Sequence, residues 1–225
     1  MVTGRDPKRG ADVARRLAGL GPIAFTESDT RSQEAVTASV RLAEERFGPL
    51  DILVASAGVG VMIPLAETTS QDWAWIWETN VSGSLFAAQA AMKAMRNARR
   101  PGSIVLIGSD AGLVGERSIG AYSVSKAAVV MMTKVLALDG APHGIRVNCV
   151  CPGFFEPGMV HFPDRSTEPE GEEGAGYADP PKPPLARYGS AREIAQAVLY
   201  LAGPESSFCT GTVLLADGGA TAGIS

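Results

Sequence analysis

The chain has 225 residues, enough for one well-buried core and not enough to demand a second domain. Its composition, 45% hydrophobic and 20% charged, is that of an ordinary globular protein. A formal net charge of −4 argues against nucleic acid or an anionic membrane surface as the main partner.

The first twenty residues are strongly charged and hold no apolar stretch of the kind a signal peptide needs. The apolar spacing predicts a helix over 8–20, with Val13, Leu17 and Leu20 on one face. A second helix starts at Ser32, a good N-cap, and carries Val36, Val40, Ala43 and Phe47 at helical spacing. Gly48-Pro49 ends it. The run at 51–55 is apolar on both faces and reads as a buried parallel strand. A long helical pattern spans 71–96, broken near Asn80. It ends in Arg96, Arg99 and Arg100, cations that suit the helix dipole and solvent. Trp73, Trp75 and Trp77 alternate near its start, for packing or subunit contact ahead of an aromatic substrate wall.

A strand at 103–108, a helix at 121–138, a strand at 145–150, a helix at 191–202 and a strand at 212–216 follow. This alternation is the pattern of an α/β protein with a parallel sheet, a single domain over 1–225. Cys149 and Cys151 flank Val150 as small core residues; with Cys209 they match no metal or redox spacing. Three cysteines without a disulfide framework suit the cytoplasm. No uncharged apolar run approaches the length of a membrane span. Residues 156–184, rich in Pro, Gly and Glu, break the rhythm and read as a substrate lid or loop. Their acidic run (Glu168, Glu170, Glu172, Glu173) is assigned no role beyond a solvated tip.

The most specific signal is Tyr122-Ser123-Val124-Ser125-Lys126 at a helix start, with Ser109 thirteen residues earlier at a strand end. Tyr and Lys four apart share one helix face. A phenol with a pKa near ~10 is a poor acid or base at neutral pH, and a neighbouring ammonium lowers that value. Ser109 could then hold a substrate oxygen while Tyr122 transfers the proton.

With these residues the chain resembles the short-chain dehydrogenase/reductase family along essentially its whole length. The resemblance implies a Rossmann-type doubly wound parallel sheet and makes Asn80, Ser109, Tyr122 and Lys126 the catalytic tetrad. In the family the asparagine organises a proton-relay water beside the lysine, which also contacts the nicotinamide ribose. Ala55-Ser56-Ala57-Gly58 looks like the family's N-N-A-G turn with both asparagines replaced, a weaker brace that leaves the Ala57-Gly58 backbone approach. Pro152-Gly153-Phe154-Phe155 looks like the P-G turn beside the nicotinamide. The tail from Thr210 to Gly219 looks like the last strand and its closing turn.

The resemblance places Ala55, Ala57, Gly58, Pro152, Gly153, Phe155, Tyr122 and Lys126 at the cofactor, with Asp29 and Thr30 at its adenine end. Gly4 stands where NAD-type members carry an acid, and Arg5 follows it, so NADP(H) is expected over NAD(H). Asp6 nearby blurs that reading, and a plain surface arginine is the alternative. Pro157 replaces a threonine that bonds the carboxamide, and proline has no hydroxyl or N–H to offer. Gly140 interrupts the main catalytic helix near its end at a modest cost.

The family's T-G-x-x-x-G-x-G turn is missing. Thr3-Gly4-Arg5-Asp6-Pro7-Lys8-Arg9-Gly10 imitates it, but Lys8 would obstruct the approach to a pyrophosphate. The start is therefore expected to be the family's second strand, with the first strand, glycine turn and first helix absent. On that reading Met1 is an internal start, and residues 1–225 alone fold poorly or bind no cofactor. The function expected is hydride transfer between NADP(H) and a secondary alcohol or ketone. The alternative is a non-catalytic homologue acting through an oligomer surface. A homodimer or homotetramer is implied, and the apolar helix containing Val129, Val130, Met131 and Met132 is compatible with it.

Overall fold

Each helix begins where the sequence offers its backbone a cap. Asp6 accepts from Lys8 N and Arg9 N and starts α1 (Pro7–Leu17). Ser32 accepts from Ala35 N and starts α2 (Gln33–Phe47). Ser190 and Glu193 form a reciprocal capping box at α6 (Ala191–Ala202). The computed structural model describes residues 1–156 and 182–223. Pro157, the acidic run and most of the expected lid lie outside them.

The strands are β1 (Val2–Gly4), β2 (Phe25–Glu27), β3 (Ile52–Ala55), β4 (Gly102–Ile107), β5 (Ile145–Pro152), β6 (Phe155–Glu156), β7 (Gly189–Ser190) and β8 (Val213–Ala216). The main sheet runs β3-β4-β5-β8, all parallel, in a register that sets Val105 beside Asn148 and Val150 beside Leu214. α3 (Ser70–Trp77), a π-helical turn (Glu78–Ser82), α4 (Gly83–Ala98) and α5 (Gly120–Gly140) complete the elements used below.

The core follows from strand alternation. Ile104, Leu106, Val147, Cys149 and Cys151 face one way and pack under Met92 and Met95 of α4 and Val129 and Leu136 of α5. Val105 and Val150 face the other way, against Ile194 and Leu201 of α6. The two cysteines are core residues on one strand face, as read from the sequence. By length and composition α5 could cross a membrane, although Lys126 and Lys134 within it mean that it is not an uncharged run; half of its apolar window is buried inside the structure.

Three expectations change. β2 is a strand too short and mixed to read in Phe25-Thr26-Glu27, and it pairs in parallel with β1 in a separate two-stranded sheet. The helix expected over 8–20 stops at Leu17, and Leu20 is 84% exposed. Only Gly10 of α1 is buried, its Cα hard against the Phe25 ring. β3, read as buried on both faces, exposes Ile52 and Val54, at 48% and 41%. The exposure of β3 has a cause in the sheet order. Among the described residues β3 pairs only with β4, and α6 packs mainly over β4 and β5, so one face of β3 has no cover. The β1–β2 unit joins the rest through α2 against α4, and through Thr30 against Gly83. In doubly wound order this is β2-β1, then β3-β4-β5-β8, a sheet in two pieces where strands would be continuous.

Candidate active site

Because the strands are parallel, their carboxyl ends share one rim, and the singled-out residues lie on it. Arg5 follows β1, Asp29 and Thr30 follow β2, and Ala57 and Gly58 follow β3, whose last residue is Ala55. Ser109 follows β4, Pro152 ends β5 with Gly153 after it, and Asp217 follows β8.

The break near Asn80 is a wide π turn, a device that re-aims side chains within a helix. It drives the wholly buried Asn80 carboxamide onto the Gly58–Val59 turn. Its Oδ1 accepts from Val59 N at 2.8 Å, and its Nδ2 donates to Val59 O and to Ser125 Oγ, each at 2.9 Å. Ser125 Oγ in turn donates to Tyr122 O at 2.7 Å. One buried amide thus ties the β3 turn to the first turn of α5. The bracing lost at Ala55 and Ser56 is supplied here from the far side. Ser125 is a site residue that the sequence reading passed over; it sits inside the quoted motif at a position with no chemistry of its own.

Tyr122 and Lys126 lie one turn apart on α5, both buried, with the ammonium 5.5 Å from the ring centroid. Lys126 Nζ donates to Ile107 O at 2.9 Å. A Cβ at Gly58 would stand 3.3 Å from that nitrogen, so glycine keeps the approach to the lysine open. Tyr122 hydrogen-bonds Ser109, which is also buried. The tetrad members therefore meet in one place, at the ends of β3 and β4 and the start of α5.

The electrostatics differ from the sequence expectation. Burial raises the Tyr122 pKa above its ordinary value, the Ser109 hydrogen bond only partly opposing it, with Asp110, Cys151 and Glu116 adding to the rise. Burial also pushes Lys126 down to about 8. Burial in the same dry pocket disfavours the charged form of each group. Tyr122 thus keeps its phenolic proton at neutral pH.

Stability should show the same burial. Between about pH 8 and the ordinary lysine value of 10.5 the unfolded chain binds the extra proton at Lys126, so this residue's contribution to stability rises with pH across that window. The stability of wild type minus that of Lys126→Met is expected to climb from about pH 7 to about pH 10 in thermal unfolding. A flat difference would place the ammonium in water.

At the far end, the Asp6 carboxylate is turned into the N-terminus of α1, so the residue that blurred the cofactor reading is a cap. Asp29 is gripped by Arg31, Nη2 to Oδ2 at 2.7 Å with Nε reaching both oxygens. That hydrogen bond first, and the nearby charge of Arg5 in smaller part, hold Asp29 below the usual carboxylate range. Arg31 was missed in the sequence because a cation two residues from an acid reads as a surface pair. Phe155 is partly buried against the core under α6. Gly153 is required for another reason than a nicotinamide: a Cβ there would lie 2.9 Å from Asp217 Cα and 3.1 Å from Asp110 Oδ2.

A concavity of about 580 Å³ opens at the opposite, amino-terminal ends of β3, β4 and β5. Its cation, Arg146, is spent on Ser103, Ser206 and the carbonyls of Ala202, Gly203 and Cys209. It holds together the bottom of the sheet and has no part in the rim.

A doubly wound parallel sheet with these four side chains gathered at its carboxyl rim defines a Rossmann-type oxidoreductase. Residues 1–221 match the family model described as enoyl-(acyl carrier protein) reductase. The chain is 33% identical to the NADP-dependent (R)-specific alcohol dehydrogenase of Lentilactobacillus kefiri, over 99% of this chain and 86% of that one. It is 38% identical to trans-4-hydroxycyclohexanecarboxylate dehydrogenase of Sinomonas cyclohexanicum, over 88% and 71%. A solved short-chain type dehydrogenase/reductase from Mycobacterium marinum superposes with a TM-score of 0.86 at 32% identity, over 99% and 85%. The chain belongs to the short-chain dehydrogenase/reductase family.

Proposed function

We propose that the chain holds NADP(H) along the rim and interconverts a secondary alcohol and its ketone. The buried network of Ser109, Tyr122, Lys126, Asn80 and Ser125 is the observation that carries this reading, since such burial of polar groups serves no packing need. When bound, the nicotinamide supplies or accepts the hydride. Tyr122 gives its phenolic proton to the carbonyl oxygen in reduction and takes it back in oxidation. Ser109 donates a hydrogen bond to the same oxygen. Lys126 steadies the phenolate left behind, and its place beside the Gly58 turn suits a ribose hydroxyl. Asp29, Thr30, Ala55, Ala57, Pro152 and the backbone of Gly153 and Phe155 would line the rest of the dinucleotide.

Arg5, with Arg31 beside Asp29, suits a 2′-phosphate, and the Lentilactobacillus relative is NADP-dependent. NADP(H) should bind more tightly than NAD(H), and the preference should weaken as salt rises. A charge-assisted hydrogen bond is worth roughly 1.5–3 kcal/mol, so Arg5→Ala should shrink the preference by about one to two powers of ten. Equal loss for both dinucleotides in fluorescence titrations would remove Arg5 from the site.

The divided sheet favours a second reading, a non-catalytic homologue acting through an oligomer surface; a Xanthobacter relative 36% identical over 95% of this chain is itself described as inactive. Dinucleotide binding by the purified chain separates the two readings. We also propose a homodimer or homotetramer. On the helix compatible with it Val129 and Val130 are core residues, and the outward ridge of α5 is Val124, Met131, Val135 and Leu138. Three free cysteines suit a cytoplasmic setting.

A further inference from the structure

We infer that Asp110 is a positioning residue for Ser109: its carboxyl group sets where the serine proton points, and only the protonated carboxyl leaves that proton to the substrate oxygen. This rests on the proposed roles of Ser109 and Tyr122.

A serine hydroxyl has one proton to give. Ser109 Oγ donates to Asp110 Oδ1 at 3.0 Å, and Ala111 N donates to the same carboxylate oxygen at 2.8 Å and to Ser109 Oγ at 3.3 Å. While Asp110 is ionised, the proton of Ser109 is drawn to it by a charge-assisted bond, and Ser109 can only accept from Tyr122. Protonated, the carboxyl becomes a donor to Oγ, and the serine proton turns to the reacting oxygen. The proton added to Asp110 comes from solvent, and no bond to carbon changes.

The surroundings decide which carboxyl takes that proton. Gly153, lacking a Cβ, lets Asp110 and Asp217 approach from two different strand ends. Burial would raise the pKa of Asp217, but hydrogen bonds from Thr221 Oγ1, Thr221 N and Gly219 N outweigh it and hold the group low. Asp110 is raised, by burial first, with Ala111 N and Ser109 opposing and the charge of Asp217 adding to the rise. Tyr122 of α5 also faces Asp110, with Glu116 of the preceding loop and Cys151 of β5 acting on Tyr122 from beyond. Lys126 is turned to Ile107 O. No cation relieves Asp110 in this set.

The test is the pH profile of kcat and KM for ketone reduction in wild type, Asp110→Asn and Asp110→Ser. Wild type should lose kcat about tenfold per pH unit above the Asp110 titration, with KM little changed. Both variants keep a polar, uncharged partner for Ser109, so each should lose that limb and give a flat profile, several-fold lower in kcat. Asp110→Ser carries the test should the asparagine variant fail to fold. A limb unchanged in the variants would overturn the inference, as would variants that bind NADPH yet are dead at every pH. Failure of the underlying site reads differently: Ser109→Ala would then match wild type.

Discussion

Tyr122→Phe is expected to lower kcat for ketone reduction by about 10²–10⁴-fold while NADPH affinity stays within about twofold, the range general acid catalysis commands. Only one oxygen is removed. Tyr122 sits in an apolar cluster with Ala111, Ile119 and Met62, which the substitution leaves in place. Lys126 keeps its bond to Ile107 O, and Asn80 keeps the Gly58–Val59 turn, so the dinucleotide-facing surface is preserved. The hydrogen bond to Ser109 is lost, at about 1 kcal/mol of stability, too little to unfold a domain. Steady-state kinetics with a fluorescence titration of NADPH separates the two effects. More than about a tenth of the wild-type rate in the variant would mean that another group carries the proton.

Joining a β-strand, a T-G-x-x-x-G-x-G turn and a helix, about 30 residues, ahead of Met1 is expected to raise the melting temperature by about 10–20 °C. Among the described residues β1 and β3 each have a side without a strand partner, and both accept a parallel neighbour at about 4.8 Å. A strand of about 5–6 residues would form ladder bonds on both edges, at roughly 1 kcal/mol net each. Its helix would cover Ile52 and Val54, about half exposed now, for about 1 kcal/mol apiece. Affinity for NADPH should rise as well, because a glycine turn at a helix N-terminus is a ready site for pyrophosphate. A joined segment of the same length and scrambled sequence is the control. Equal melting temperature and equal NADPH affinity in the two would show that β1 and β3 do not receive a strand.

What could be read in advance follows the strength of local signals. β4, β5, α5 and α6 were legible because buried strands and long helices repeat their apolar pattern over many residues. Tyr122 and Lys126, with Ser109 at a strand end, were legible because a chemical requirement fixes residue types at short spacing, whereas Asn80 was named only through the family resemblance. β2 was not, since three residues give no period to read. The exposure of Ile52, Val54 and Leu20 was not legible either, because apolar spacing states which face wants cover and says nothing of whether cover is there. The sign of the Tyr122 shift was misjudged for a related reason. Sequence shows the lysine four residues away, but depth, which raised the phenol and lowered the lysine together, appears only once the helix is packed. Ser125, Asp110 and Arg31 escaped because each acts through a neighbour already assigned a role.

The most direct measurement follows the hydride itself. NADPH carrying deuterium at its transferable position is mixed with the protein and a panel of secondary ketones, and the products are examined by mass spectrometry and NMR. The expected result is an alcohol with deuterium on the carbinol carbon, formed by wild type and reduced to about 1% or less in Tyr122→Phe. A folded protein that binds NADPH and leaves every ketone unlabelled, or labels it equally well without the Tyr122 hydroxyl, would contradict the account.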